Sequence, residues 1–164
     1  MNTIKQFPAI LLLSGIILSS CSAQSKLKGF QKIVYHSSFC FGTCPRIDMN
    51  IDASRNIYVE RQFFSGRGRE DTAGSGRFSG VLDKATFNEL MRMLLKSNYA
   101  EQQWPDVTCC DGVITTIIIF DKNKRTYLKS MTPPDEAREL IALLRKIALD
   151  TPLPKAENKM ELEQ

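Results

Sequence analysis

The residues best suited to chemistry in this 164-residue chain are its cysteines. Cys40 and Cys44 flank Phe41-Gly42-Thr43 and immediately precede Pro45. Cys109 and Cys110 are adjacent and follow Trp104-Pro105-Asp106-Val107-Thr108. Four thiols so placed admit more than one disulfide pairing. The simplest expectation is structural: either a staple between the two loops or a small bridge from Cys40 to Cys44 within one. A thiol-redox site would use the same sulfurs. However, Cys-x-x-x-Cys is not the thioredoxin-like spacing, and no helix N-terminus follows Cys40 to stabilise a thiolate. Four thiolates would also suit zinc or copper(I). Vicinal cysteines rarely converge on one ion, so no metal site and no cofactor is assigned.

The fifth cysteine, Cys21, stands in a different context. Lys5 supplies a positive N-terminal charge, and Phe7–Leu18 is an apolar run of about twelve residues, interrupted only by Ser14 and Gly15. A membrane span needs about 20 apolar residues, so this run is too short for one. Leu18-Ser19-Ser20-Cys21 resembles the lipobox of bacterial lipoproteins, which implies cleavage after residue 20 and lipidation of Cys21. Ser22 follows, where the usual sorting rule would place aspartate for inner-membrane retention. The expectation is a cell-envelope protein anchored by the lipid on Cys21, with the outer membrane favoured and the domain facing the periplasm. Residues 21–30 would then serve as the lipidated tether.

Charge excludes one class of partner. Removing residues 1–20 takes away Lys5 and no acid, so Lys plus Arg falls from 22 to 21 against 18 acids, an excess of +3. The basic residues are interspersed with acids, and the local group Arg61, Arg67, Arg69 and Arg77 forms no dense stripe, so nucleic acid is not an expected partner. Catalytic groupings are also sparse. His36 is the single histidine and reads as a strand residue beside Ser37 and Ser38 rather than as a base paired with a nucleophile. No motif brings Glu60, Asp71, Asp106 or Asp111 together as a carboxylate pair. The glycines from Gly66 to Gly80 do not spell a phosphate loop.

The elements that must position these residues follow from periodicity. Ile33–Ser37 reads as a strand by its β-branched and aromatic content. Ile47, Met49 and Ile51 alternate with Arg46, Asp48 and Asn50, which predicts a second strand. A turn at 52–56 and a strand over Ile57–Phe64 complete a hairpin. Ser65–Gly76 reads as an exposed loop because it is rich in Gly, Arg and Ser, with Phe78 opening a short strand. Asp83 is a helix N-cap, with Leu82 and Phe87 as a hydrophobic staple, and Phe87, Leu90, Met91, Leu94 and Leu95 mark the buried stripe. Val113–Phe120 and Arg125–Ser130 form a second hairpin around Asp121-Lys122-Asn123-Lys124. Thr132 is expected to cap a second helix with Pro133 in its first position; Ala137, Leu140, Ile141, Leu144 and Ile147 would be its buried face. The sum is a single α+β domain over 31–150, with an antiparallel sheet and two helices on one face. Residues 151–164 are expected to be a polar tail without fixed structure.

Cys40-Phe41-Gly42-Thr43-Cys44-Pro45, followed by an alternating strand, resembles the opening motif of an uncharacterised domain family common in exported bacterial lipoproteins. Its members are similar over roughly residues 31 to 148. They continue through a hairpin, a glycine-bearing loop, a helix and an Asp-containing loop, here Asp111-Gly112-Val113. Ile47 stands where similar members often carry Tyr or another large residue. The resemblance implies a fold and a location and carries no activity. The functional expectation is a non-enzymatic binding or structural module of the envelope, contacting a protein, peptide or glycan. The contact surface would be Phe41, Gly42, Thr43, Pro45, Trp104, Asp106 and Asp111. The alternative is a redox or soft-metal-handling lipoprotein using Cys40, Cys44, Cys109 and Cys110.

Overall fold

A computed structural model describes residues 27, 29–40, 42–65, 68–107 and 111–163. The expected cleavable segment and Cys21 lie outside the described residues. The strands are β1 (Phe30–Ser37), β2 (Arg46–Asp52), β3 (Asn56–Ser65), β4 (Arg69–Val81), β5 (Thr115–Asp121) and β6 (Lys124–Ser130), and the helices are α1 (Lys84–Ser97) and α2 (Arg138–Asp150). All six strands form one antiparallel sheet in the order β4-β3-β2-β1-β5-β6. Both helices pack on one face of this sheet, as the α+β pattern requires.

Alternation decides the two faces. Ile33, Tyr35, Ile47, Met49, Ile51, Ile57, Val59, Ile117 and Ile119 point to the helix side and are nearly inaccessible. From α1 they meet Leu90, Met91, Met93 and Leu94, and from α2 Leu140, Leu143, Leu144 and Ile147. The α1 stripe is rotated from the expected one. Met93 is buried, whereas Leu95 is 43% exposed. The Asp83 cap forms as expected, its carboxylate accepting from the Thr86 backbone N–H at 2.9 Å. Asn98, in the left-handed conformation, closes the helix.

Three expectations are corrected. The first is the Ser65–Gly76 loop. Most of that segment is strand β4, which pairs along β3 from Arg69 onward. The glycine and serine content instead marks a bulge: Arg61 pairs with Gly76 while Phe63 pairs with Asp71, so β4 carries extra residues there. Gly76 adopts φ +141°, and a Cβ on Gly74 would lie 2.9 Å from the Phe63 ring. Ser75 stitches the interruption. Its hydroxyl accepts from the Phe63 N–H at 2.9 Å and donates to the Asp71 carbonyl at 2.6 Å. The second correction is the start of α2. Thr132 does not cap it and Pro133 is not its first residue. Pro133 precedes a proline and is thereby disfavoured in the helical region, Pro134 is the extended cap, and a 3-10 turn over Asp135–Ala137 leads into Arg138. The C-terminal end of α2 is held from the sheet, where the Arg61 guanidinium donates to the carbonyls of Ala148 and Leu149 at 2.9 and 2.7 Å.

The third correction concerns the tail. Residues after α2 are not loose. The Ser79 N–H donates to the Pro154 carbonyl at 3.1 Å and the Ala156 N–H to the Arg77 carbonyl at 2.9 Å, forming a bridge on the β4 edge. The chain then crosses the sheet face opposite the helices and reaches β1 and β6 at Glu163. Seven residue steps of extended chain reach about 23 Å, enough for four or five strand spacings of about 4.8 Å. We call residues 155–163 the strap. The Ser75 stitch yields a direct test. Ser75→Ala leaves the Phe63 N–H and the Asp71 carbonyl unpaired in a segment where Ser75 is 7% exposed. It should cost about 1–3 kcal/mol, read as a lower urea midpoint at unchanged m.

Candidate functional site

Two regions gather the side chains able to bind or react. The first is the end of the sheet where β1 stops and β5 starts, since Ser37 pairs with Thr115. The Ser38 N–H donates to the Ile114 carbonyl at 3.0 Å, and the Ile114 N–H donates back to the Ser38 hydroxyl at 2.8 Å. These bonds clamp the Cys40–Pro45 loop against the loop that enters β5. The Ser130 hydroxyl donates to the Pro105 carbonyl at 2.6 Å and anchors the latter from β6. Both expected contact loops therefore occupy one end of the domain.

Cys40 and Cys44 are joined by a disulfide, with Cα atoms 5.5 Å apart. Of the pairings open from the sequence, the short intraloop bridge is the one present. Cys109 and Cys110, like Phe41 and Thr108, lie outside the described residues. Gly42, Thr43, Asp106 and Asp111 are exposed as a contact surface requires, but Pro45 is buried at the start of β2 and is no contact residue. Trp104 is half-buried against the core, with its indole N–H donated to Gln102 Oε1 at 2.7 Å, so it anchors the loop. The sequence reading missed the aromatic group beside the bridge. Phe39 is 45% exposed and packs edge-on against Phe64 at 4.7 Å, with the Arg46 guanidinium 6.0 Å from its ring. The only signal for it was an aromatic residue adjoining Cys40.

The second region is the face under the strap. Strict cross-strand register places Lys129, Thr116, His36, Asp48, Glu60 and Arg77 in one transverse row, one residue from each strand. Asp48 joins its neighbours. One carboxylate oxygen lies 2.7 Å from His36 Nδ1, and the other is 2.7 Å from an Arg46 guanidinium nitrogen. The other imidazole nitrogen, Nε2, is 2.7 Å from the Glu163 backbone carbonyl. A carboxylate and a carbonyl can only accept, so both ring nitrogens must donate and the fitting species is the imidazolium. Burial alone would lower the His36 pKa. The bonds to Asp48 and to the Glu163 carbonyl outweigh it and raise the pKa above the ordinary 6.5. His36 is therefore no poised general base, and its role is to hold the strap. Tyr99 is no base either: burial, with Asp121 beside it, pushes its phenol up to about 12, and its hydroxyl donates to Asp121 at 3.1 Å. Among the described residues, no three His, Cys, Asp or Glu side chains are placed to share a metal ion.

The domain is a six-stranded α+β sheet with a disulfide-bridged loop at one end and a segment crossing its outer face. The chain belongs to the family described as Domain of unknown function (DUF6438), whose profile matches residues 31–148. That span holds all of the helices and strands except the outermost residues of β1 and α2, and it stops short of the strap. No curated protein matches the chain.

The geometry at His36 fixes the sign of a pH effect. A raised folded pKa means that the latch contributes fully below the ordinary value of 6.5 and is lost as pH rises through the higher folded value. Because His36 is the single histidine, its ring proton resonances report the titration without assignment. They should titrate above 6.5, and Asp48→Asn should bring the midpoint down. A wild-type midpoint at or below 6.5 contradicts the double-donor geometry.

Proposed function

We propose that this is an exported bacterial lipoprotein, anchored through lipid on Cys21 with the outer membrane favoured. Its domain is a non-enzymatic binding module that presents the Cys40–Pro45 and 104–112 loops to a protein, peptide or glycan partner. The observation that carries this reading is the polarity of β1. The expected tether enters the strand at Phe30, and the strand delivers the chain to the bridged loop beyond Ser37. Eight residues at about 3.3 Å each separate the two ends by roughly 25 Å. An anchor at one end therefore leaves the loops at the end away from the lipid.

Further support comes from the composition of that end. Phe39 and Val107 are among the few large apolar side chains left open to solvent among the described residues, and the loops that carry them also expose Thr43, Asp106 and Asp111. Exposed apolar side chains mixed with polar ones are the usual composition of a protein contact. The bridge keeps this loop in one shape, which lowers the ordering cost of binding. Lipid attachment would be effectively permanent, since each buried methylene adds about 0.8 kcal/mol and several acyl chains act together.

Two measurements test the reading. Metabolic labelling with a radioactive fatty acid should mark the chain, and Cys21→Ser should abolish both the label and membrane fractionation. A label that persists in Cys21→Ser removes the anchor from the proposal. Cross-linking from intact cells should then capture a partner through the bridged loop, with yield reduced at least several-fold by Phe39→Asp or Thr43→Arg. Ready reduction of the Cys40–Cys44 bridge by millimolar glutathione would instead move the assignment to the thiol-redox alternative.

A further inference from the structure

The outer face of the sheet is crossed by the strap. Its middle row, Tyr127, Ile118, Val34, Asn50, Tyr58 and Ser79, again takes one residue from each strand. Val34, Ile118 and Tyr58 in that row are buried at 1%, 0% and 3% exposure although they face away from the helices. The described segment crossing this face is the strap, with Met160 over Asn50 and Glu163 at the far side. Charged groups flank the apolar row. Glu163 lies 3.6 Å from Lys32 and 2.6 Å from Arg125 by its two carboxylate oxygens, while its backbone carbonyl meets the His36 ring.

The strap fits this surface incompletely. The Tyr58 hydroxyl and Asn50 Oδ1 are buried beneath it without a hydrogen-bond partner, although they belong to directly paired residues. A buried polar atom left unpaired is destabilising, and a better-matched segment would satisfy it. A hollow of about 260 Å³ also remains between the strap and the side chains of His36, Arg46, Asp48 and Glu60. The strap itself is thinly held: residues 157–161 are all exposed, and its ion pairs lie on the surface, where each contributes little. The domain profile ends at residue 148, so the strap is an addition to the part that defines the family.

We propose that the outer face is a binding groove for an extended acidic segment of a partner protein, and that residues 155–163 are its displaceable occupant in cis. The ligand class follows from the strap's chemistry: a backbone carbonyl set against His36, an acidic side chain between Lys32 and Arg125, and apolar side chains spaced as Met160 and Leu162 are. The groups facing His36 from each neighbouring element are Asp48 and Arg46 on β2, Glu60 on β3, Thr116 on β5, Lys129 and Tyr127 on β6, and Lys159, Glu161 and Glu163 on the strap. This surface is separate from the bridged-loop end, so it stands or falls independently of the lipid anchor and of the partner proposed there.

The test uses the full chain and a fluorescent peptide with the sequence of residues 155–163. Anisotropy should show saturable binding to wild type, because the free peptide competes with the resident strap. Glu163→Ala in the protein loosens the strap while leaving Lys32 and Arg125 in place, and should tighten peptide binding by roughly 3- to 10-fold, the ratio expected from losing one or two surface pairs. Lys32→Ala combined with Arg125→Ala should weaken it by at least a similar factor, and a peptide with lysine at each glutamate should not bind. Circular dichroism melts check that the variants are folded. No saturable binding to the folded Glu163→Ala variant, or equal binding of the lysine peptide, overturns the proposal. A concentration-dependent dimer of the full chain that Glu163→Ala disperses would also overturn it, and would assign the groove to the strap of a second copy.

Discussion

The pairing of β1 with strands on both of its sides is the constraint on which the rest of the structure depends. β2, β3 and β4 follow β1 closely in sequence and build one half of the sheet. β5 and β6 arrive only after α1 and build the other half. β1 is where the halves meet, and from Lys32 to Ser37 its register is unbroken on both flanks: Ser37 faces Ile47 and Thr115, and His36 faces Asp48 and Thr116. A slip of one residue would exchange Ile33 and Tyr35 for Val34 and His36 on the helix side. It would bury an imidazole in the core and at the same time break the row to which Asp48, Glu60 and Arg77 belong. Core packing and the polar row on the outer face thus select the same register.

That double use explains why both faces of β1 are occupied. Sheets of this kind usually bury one face and wet the other. Here Val34, Ile118 and Tyr58 bring apolar surface to the outer face as well, so a central stripe there is better covered than hydrated. The strap supplies cover with few residues because, beyond its bridge to the β4 edge, it crosses the strands instead of pairing with them. Its hold is concentrated at two points. On the β4 edge, backbone bonds at Arg77 and Ser79 fix its beginning. Across β1 and β6, the Glu163 carbonyl and carboxylate fix its end. The edge bridge also occupies part of an outer strand whose free backbone groups would otherwise be open to pairing.

Legibility in the sequence followed the range of the interactions. Strand β2 was readable because Ile47, Met49 and Ile51 alternate with polar residues, and the α1 cap was readable because Asp83 bonds only three residues ahead. Both are local. The stretch from Cys40 to Pro45 likewise spans six residues, and the bridge within it was among the readable alternatives. β4 was misread because Gly74, Ser75 and Gly76 carry the chemistry of a loop. Their reasons are tertiary: a phenylalanine ring against Gly74 and a hydroxyl replacing ladder bonds from β3. The strap was misread for a related reason. Its composition is polar, and the partners that order it, His36 and Arg125, are 127 and 38 residues away. Leu95 fell in the expected apolar period, yet the sheet meets α1 on the side of Met93.

The same reasoning separates His36 from the cysteines as sources of function. A lone histidine in a strand carries no catalytic signature, and its sequence neighbours Ser37 and Ser38 are not its chemical partners. Its meaning depends on two acceptors that only the folded chain brings together. Asp48 comes from the opposing strand and the carbonyl of Glu163 from the strap. With acceptors on both nitrogens, deprotonation does not merely weaken one bond; it sets a ring lone pair against one of the two oxygens. Asp48 is additionally held by Arg46, so the softer of the two contacts is the strap carbonyl. A proton lost from His36 therefore falls on its contact with residues 155–163, which belong to neither the sheet nor the helices.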